Sequence, residues 1–252
     1  MSDHEGDTGA LFDDPEGYYP QTPPPTSQTY TLLTKPDETI TLHLVGHSPL
    51  EAHHLWNGSR IVSNYLETHP DLVHNKSVLE LGAGAGLPSL VAGVLGARKV
   101  VMTDFPDADL IATMQKNIDL TGRTARCPVV TRGYIWGADP TPLLEIIRSE
   151  SSNGFDVLIL ADLLFRHSEH GHLLDTISSA MKKAPDAKAL VFFTSYRPWL
   201  QHKDLAFFDL ARERGLVVDK LLEEKLEKPL FENDPGDVEI QKTVMGWVVR
   251  WP

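Results

Sequence analysis

One cysteine, Cys127, stands among 252 residues. That excludes an internal disulfide framework and fits a reducing compartment; nothing around it marks a reactive thiol. No stretch approaches the roughly 20 uninterrupted apolar residues of a membrane span. The opening MSDHEGDTGALFDD has neither the basic start nor the apolar run of a secretory signal, so the expected address is cytoplasmic and no membrane partner is expected. Basic charge is scarce as well: 23 Lys and Arg against 35 Asp and Glu leave a formal charge of −12. Such a surface is unsuited to neutralising phosphates, which argues against a nucleic-acid partner.

The acids are unevenly spread. Residues 1–38 hold eight acidic side chains and a single lysine, either a solvated tail or a face that attracts a basic protein. Residues 1–36, with the proline run of YYPQTPPPTSQT, read as a disordered or strap-like arm in which Leu11, Phe12, Tyr18 and Tyr19 offer docking side chains. Residues 37–252 read as one domain. TITLHLV (39–45) alternates like a strand and 50–70 reads as a helix ending before Pro70.

From residue 77 strands and helices alternate. Strands are expected at 77–81, 99–104, within 128–137, at 155–162 and 188–196, then in LVVDKLLEE and EIQKTVMGWVVRW. Helices are expected at 87–97, 107–122, 141–150, 168–183 and 200–215. That order predicts an α/β fold with a seven-stranded, mainly parallel sheet, helices on both faces and the last strand antiparallel.

The first strand runs into LELGAGAG. In an open α/β sheet a ligand lies at the carboxyl ends of the strands, where strand order reverses. A triphosphate loop needs Gly-Lys-Ser/Thr, whereas Gly86 is followed by Leu87 and Pro88. The dinucleotide pattern G-x-G-x-x-G wants glycine at position 87, which is leucine. Glu80-x-Gly82-x-Gly84-x-Gly86 instead fits a turn for S-adenosylmethionine, a ligand without phosphate, with Glu80 organising the site. Asp104 at the next strand end can accept both ribose hydroxyls, a geometry shared with NAD enzymes. Trp136 can pack on adenine or belong to the core. Ala161 and Asp162 close the fourth strand, and Phe165 follows three residues later. Order and spacing together favour S-adenosylmethionine over NAD.

HLWNGS, VLELGAGAGLPSL, VVMTDFPDADLI, GYIWG, ILADLLFRHSEH and FTSYRPWL resemble the seven-β-strand protein lysine methyltransferases of the family-16 type, once labelled nicotinamide N-methyltransferase-like. The likeness covers nearly the whole chain. It implies a Rossmann-like class I fold with S-adenosylmethionine as cofactor. By the resemblance, Trp56, Gly82, Ala83, Gly84, Asp104, Trp136 and Ala161 contact the cofactor. Asp162 and Phe165, matching the family's Asp-x-x-Tyr/Phe marker, shape the acceptor channel. Asp162 is expected to orient the amine, with Tyr196 and Trp199 beside Phe165 in an apolar wall. The fungal branch that the motifs resemble implies a protein substrate, translation elongation factor 1-alpha, methylated at its N-terminal glycine and the adjacent lysine; the enzyme is expected to be a monomer. A small-molecule N-methyltransferase and a non-catalytic cofactor-binding module remain alternatives. The histidines His43, His47, His53, His54, His167, His170 and His172 read as surface residues, and no metal is expected.

Overall fold

Every residue of Ser77–Leu81 (β3) and Val157–Ala161 (β6) is buried, as strands covered on both faces must be; β6 is apolar throughout, and the two polar residues of β3, Ser77 and Glu80, are hydrogen-bonded. They pair in parallel, with Val78 opposite Val157, and form the centre of the sheet. The computed structural model describes residues 23–121, 125–148 and 153–252. Lys99–Asp104 (β4) and Val129–Gly133 (β5) extend the sheet on one side, and Lys188–Thr194 (β7) lies on the other, all parallel. Thr243–Arg250 (β9) then enters antiparallel between β7 and Val217–Lys225 (β8), giving the order β5-β4-β3-β6-β7-β9-β8. The seven-stranded sheet with one reversed strand is the architecture expected from the alternation of elements.

Side-chain alternation along these strands builds two cores. Val78, Val100, Ile159 and Phe192 face one way and pack with Asn57–Thr68 (α1), Leu87–Val94 (α2) and Met114 of Ala108–Thr121 (α3). Leu79, Val101, Leu158 and Phe193 face the other and pack with Thr141–Ile147 (α4), His170–Ala180 (α5) and Gln201–Glu213 (α6). Among the described residues no helix is long and apolar enough to cross a membrane.

Four elements depart from the sequence reading. Thr26–Thr31 (β1), assigned to the arm, pairs antiparallel with Thr39–Leu44 (β2) in a separate hairpin. Tyr30, Leu32, Ile40, Leu42 and Leu44 join the first core. Glu67 of α1 clips this hairpin down: its carboxylate accepts the Tyr30 hydroxyl at 2.7 Å and the Leu33 and Thr34 N–H groups at 3.0 Å. Asn117 of α3 reads the β2 backbone as a strand would, accepting the His43 N–H and donating to its carbonyl.

The helix expected from residue 50 starts only at Asn57, because Glu51 adopts φ +64° and Trp56 is extended, neither compatible with an α-helix. The helix expected over 168–183 is a 3-10 turn at His167–Glu169 followed by α5. The start expected for the last strand is a helical turn, Val238–Gln241 (α7), capped by the Asp237 carboxylate on the Glu239 N–H. Residues 1–22, with the four candidate docking side chains, and Gly122, the expected stop of α3, lie outside the described residues.

Candidate active site

The carboxyl end of β3 passes into a turn whose three glycines, Gly82, Gly84 and Gly86, all have positive φ. At Gly84 (φ +56°) the nearest atom to an added Cβ would be 3.8 Å away. The left-handed backbone therefore demands glycine there, while the space beside it stays open: a cradle for a ligand. Gly86 ends the turn at the start of α2. Pro88 occupies the first helical turn, where its missing N–H is no loss. Glu80, buried at the end of β3, accepts the Ser89 N–H of that turn at 2.9 Å. Burial lifts its pKa to about 8, and the bonds from Ser89 oppose the rise.

Asp104 ends β4 beside the turn. One carboxylate oxygen accepts the Gly84 N–H and the other the Phe105 N–H, both at 2.7 Å. Burial raises its pKa, and these two bonds resist. Each carboxylate oxygen has a second acceptor site, so the group fixes the turn and can still receive a diol. Beyond β5, Trp136 packs over Gly82, with an indole carbon 3.1 Å from where a Cβ would sit. Phe105 and Ile135, each about half exposed, stand at the rim of the same cavity.

Asp162, after β6, occupies the left-handed region at φ +54°, rare for a residue with a side chain. Its oxygens accept the Thr194 N–H at 2.8 Å and the Gly58 N–H at 2.5 Å. The carboxylate thus joins the end of β7 to the amino terminus of α1, where the helix dipole favours negative charge. Burial lifts its pKa to about 7; the bonds from Thr194, Gly58 and the Tyr196 hydroxyl pull it back. Burial, followed by the charge of Asp162, holds the Tyr196 phenol well above its ordinary range. The Asn57 N–H donates to that phenol at 3.2 Å.

An aromatic wall covers this end. Trp56 stacks on Phe165 with centroids 5.9 Å apart and meets Tyr196 and Phe231 edge-on at 4.9 and 5.8 Å. Its indole N–H donates to the Glu51 carbonyl, bracing the loop before α1. The glycine turn, Asp104, Trp136, Ala161, Asp162, Phe165, Trp56 and Glu80 line one cavity of about 270 Å³. The ten residues expected to form the cofactor and acceptor sites all line it, and Tyr196 joins the wall against Trp56.

Trp199 does not join the wall: it is 55 % exposed on the Pro198–Leu200 turn. Among the residues that escaped the sequence reading, Phe105, Ile135 and Arg166 line the cavity and Phe231 packs on the wall at Trp56. Phe105 and Ile135 are direct neighbours of Asp104 and Trp136, a signal that adjacency offered. Arg166 follows Phe165. Phe231 sits in a segment without periodicity and gave no signal.

The histidines go separate ways. His167 meets Asp204 at 2.7 Å, and His170 is buried, against the surface reading, with its Nε2 on the Leu164 carbonyl. Among the described residues one group gathers three candidate ligands, Glu51, His53 and His54. Its closest carboxylate–imidazole approaches are 3.9 Å.

The profile of the lysine methyltransferase family matches residues 36–214. The chain is 62 % identical over 253 residues to the protein N-terminal and lysine N-methyltransferase of Neurospora crassa, covering 98 % of this chain and 89 % of that one. It is 54 % identical to the protein of the same description in Gibberella zeae (96 % and 94 % covered) and 41 % identical to that of Schizosaccharomyces pombe (100 % and 99 %). Among solved structures, a transferase from Pyrococcus horikoshii aligns with a TM-score of 0.52 at 16 % identity, over 90 % of this chain and 73 % of the other. The YcgJ protein of Bacillus subtilis aligns at 0.55 and 10 % identity, over 77 % and 97 %. These two likenesses concern the fold.

Proposed function

The chain belongs to the lysine methyltransferase family of S-adenosylmethionine-dependent enzymes, and from that premise we propose that it methylates the N-terminal glycine and the adjacent lysine of translation elongation factor 1-alpha. One observation carries the reading: a single cavity has an open glycine cradle with a strand-end carboxylate at one end, and a buried carboxylate under an aromatic wall at the other. The cradle fits the cofactor. Gly82, Ala83 and Gly84 let its amino-acid part pass, Asp104 accepts the ribose hydroxyls, and Trp136 with Ala161 bounds the adenine side. Glu80 holds the turn to α2, and Trp56 closes the cavity from the α1 side.

Bound there, S-adenosylmethionine supplies a sulfonium-activated methyl group. The chain's own work is to position a neutral amine, and alignment of that kind is worth several kcal/mol. An α-amino group, with a pKa of about 7.7–8.0, is partly neutral near pH 7, whereas lysine at about 10.4 must shed its proton on entry. Trp56, Phe165, Tyr196 and Phe231 exclude water, which disfavours the charged amine. The same ring faces stabilise a methylated cation. After its two backbone bonds and the bond from the Tyr196 hydroxyl, Asp162 keeps one further acceptor site and uses it to orient the amine N–H. The departing proton goes to water.

Intact-mass and peptide mass spectrometry of recombinant elongation factor 1-alpha, after incubation with enzyme and cofactor, tests this. Mass gains of 14 Da per methyl at the first two residues are expected. Methyl transfer confined to small amines such as nicotinamide would overturn the protein-substrate reading.

A further inference from the structure

Between β8 and β9 the chain runs from Leu226 to Lys242 with only the short α7 as regular structure and folds over the Pro198–Leu200 turn. Phe231 of this segment reaches inward to the aromatic wall, 5.7 Å from the Tyr196 ring and 5.1 Å from His54. Behind it the segment is held on the rim. The Gln241 amide donates to the carbonyls of Tyr196 and Pro235, and the Gly236 backbone lies on Pro198 and Trp199. Two large apolar side chains nevertheless point to water here, Trp199 at 55 % and Val238 at 46 % exposure. They stand on segments that also supply Tyr196 and Phe231, so the exposed face continues to the aromatic wall at Trp56.

Charge singles the same face out. Residues 223–239 hold seven acidic side chains and two lysines. Lys225 and Lys228 are taken up by Glu239 and Glu232. Glu227 and Asp234 are exposed and have no ion pair among the described residues. Acidic charge alone would specify no ligand. Here it surrounds exposed aromatic and aliphatic anchors, and beside them a buried acceptor, Gln241 Oε1, has no partner. An interface has this composition: apolar anchors within a charged rim.

We infer that the 226–242 segment and the Pro198–Leu200 turn form the docking face for the protein acceptor, and that they grip a basic, extended segment next to the amine that enters the cavity. The inference rests on the reading of the acceptor as a protein. Trp199 and Val238 hold the apolar side chains of that segment. Glu227 and Asp234 meet its lysines or arginines and steer its approach, an effect carried mainly by encounter rate and weakened by salt. Phe231 connects the face to the wall around the reacting amine.

The test is a pair of charge-matched double variants assayed on recombinant elongation factor 1-alpha. Glu227→Lys with Asp234→Lys should raise KM by about tenfold at low salt, with kcat and cofactor affinity unchanged. The difference should shrink to about twofold near 0.5 M salt, where the Debye length is only a few Å. Asp71→Lys with Glu213→Lys makes the same change in net charge at the opposite ends of the strands and should leave KM as it is. Trp199→Ala, exposed and removable without opening the core, should raise KM with little salt dependence. An unchanged KM in the first double variant while methylation proceeds, or an equal rise in the control pair, overturns the docking face and leaves the activity standing. No methylation of the protein by the unaltered chain overturns the reading beneath it, and the docking face with it.

Discussion

At the scale of single residues, Asp162 combines a strained backbone, two backbone hydrogen bonds and a pKa near 7. Asp162→Asn keeps its size but sets an amide NH2 against either the Gly58 or the Thr194 N–H. One buried donor then loses its acceptor, at a cost of about 1–3 kcal/mol. The pH dependence has a definite sign. The folded pKa lies above the unfolded value of about 3.9, so the native state holds the proton longer and ionisation weakens it. This contribution to stability is intact below about pH 4 and is lost as pH rises through 7. The protonated acid still accepts at both oxygens, whereas the amide accepts at one. Urea denaturation should therefore show the variant furthest below the unaltered protein at about pH 4, with the gap narrowing by pH 8. A constant gap would mean that the carboxyl is ionised throughout. Methyl transfer by the variant should fall about a hundredfold at nearly unchanged cofactor affinity.

At the scale of elements, the junction of α1 with β6 and β7 controls the acceptor end of the cavity. Gly58 is required there for space: an added Cβ would lie 2.6 Å from Asp162 Oδ2 and 2.8 Å from the Phe192 carbonyl. The carbonyl belongs to a central strand and cannot give way, so the Asp162 carboxylate must move. Gly58→Ala should cost about 1–3 kcal/mol in thermal or chemical denaturation and depress methyl transfer more than cofactor binding. Equal losses of both would place the damage in the whole cavity.

The central elements were legible because their signals are local: an unbroken apolar run for β6, a mostly apolar one for β3, and a glycine turn followed by proline at the head of α2. That the ten candidate residues share one cavity was legible because strand ends and turns of an α/β sheet converge on one edge, and because their spacing matched a known family. What escaped depends on tertiary contacts. Residues 50–56 look helical by composition, but the Trp56 indole bonded to the Glu51 carbonyl holds them as a loop. Phe231 lies in an aperiodic segment, and only the fold brings it to Trp56. Trp199 had the right neighbours in sequence and lies on the outside.

At the scale of the whole molecule, the boundary of the folded unit is the point on which sequence and structure differ most. Proline and acid content placed residues up to 36 in an arm, yet β1 is a strand, and its Tyr30 and the Leu32 that follows it are buried in the core over α1. Its loss would uncover those contacts and leave the buried carboxylate of Glu67 without the Tyr30, Leu33 and Thr34 donors. Two chains separate the readings, one beginning at residue 23 and one at residue 37. Burial of a tyrosine or leucine is worth about 1.5–3 kcal/mol, and a stranded carboxylate adds to the loss. For a domain of this size each kcal/mol shifts the midpoint by about 2–4 °C, so the shorter chain should melt at least about 10 °C lower. Its cofactor affinity should fall as well, since Asn117 bonds both to β2 at His43 and to the Ala85 carbonyl in the glycine turn. Loosening the hairpin then reaches the cradle through one side chain. Equal melting points and equal affinities would make β1 dispensable and restore the boundary at residue 36.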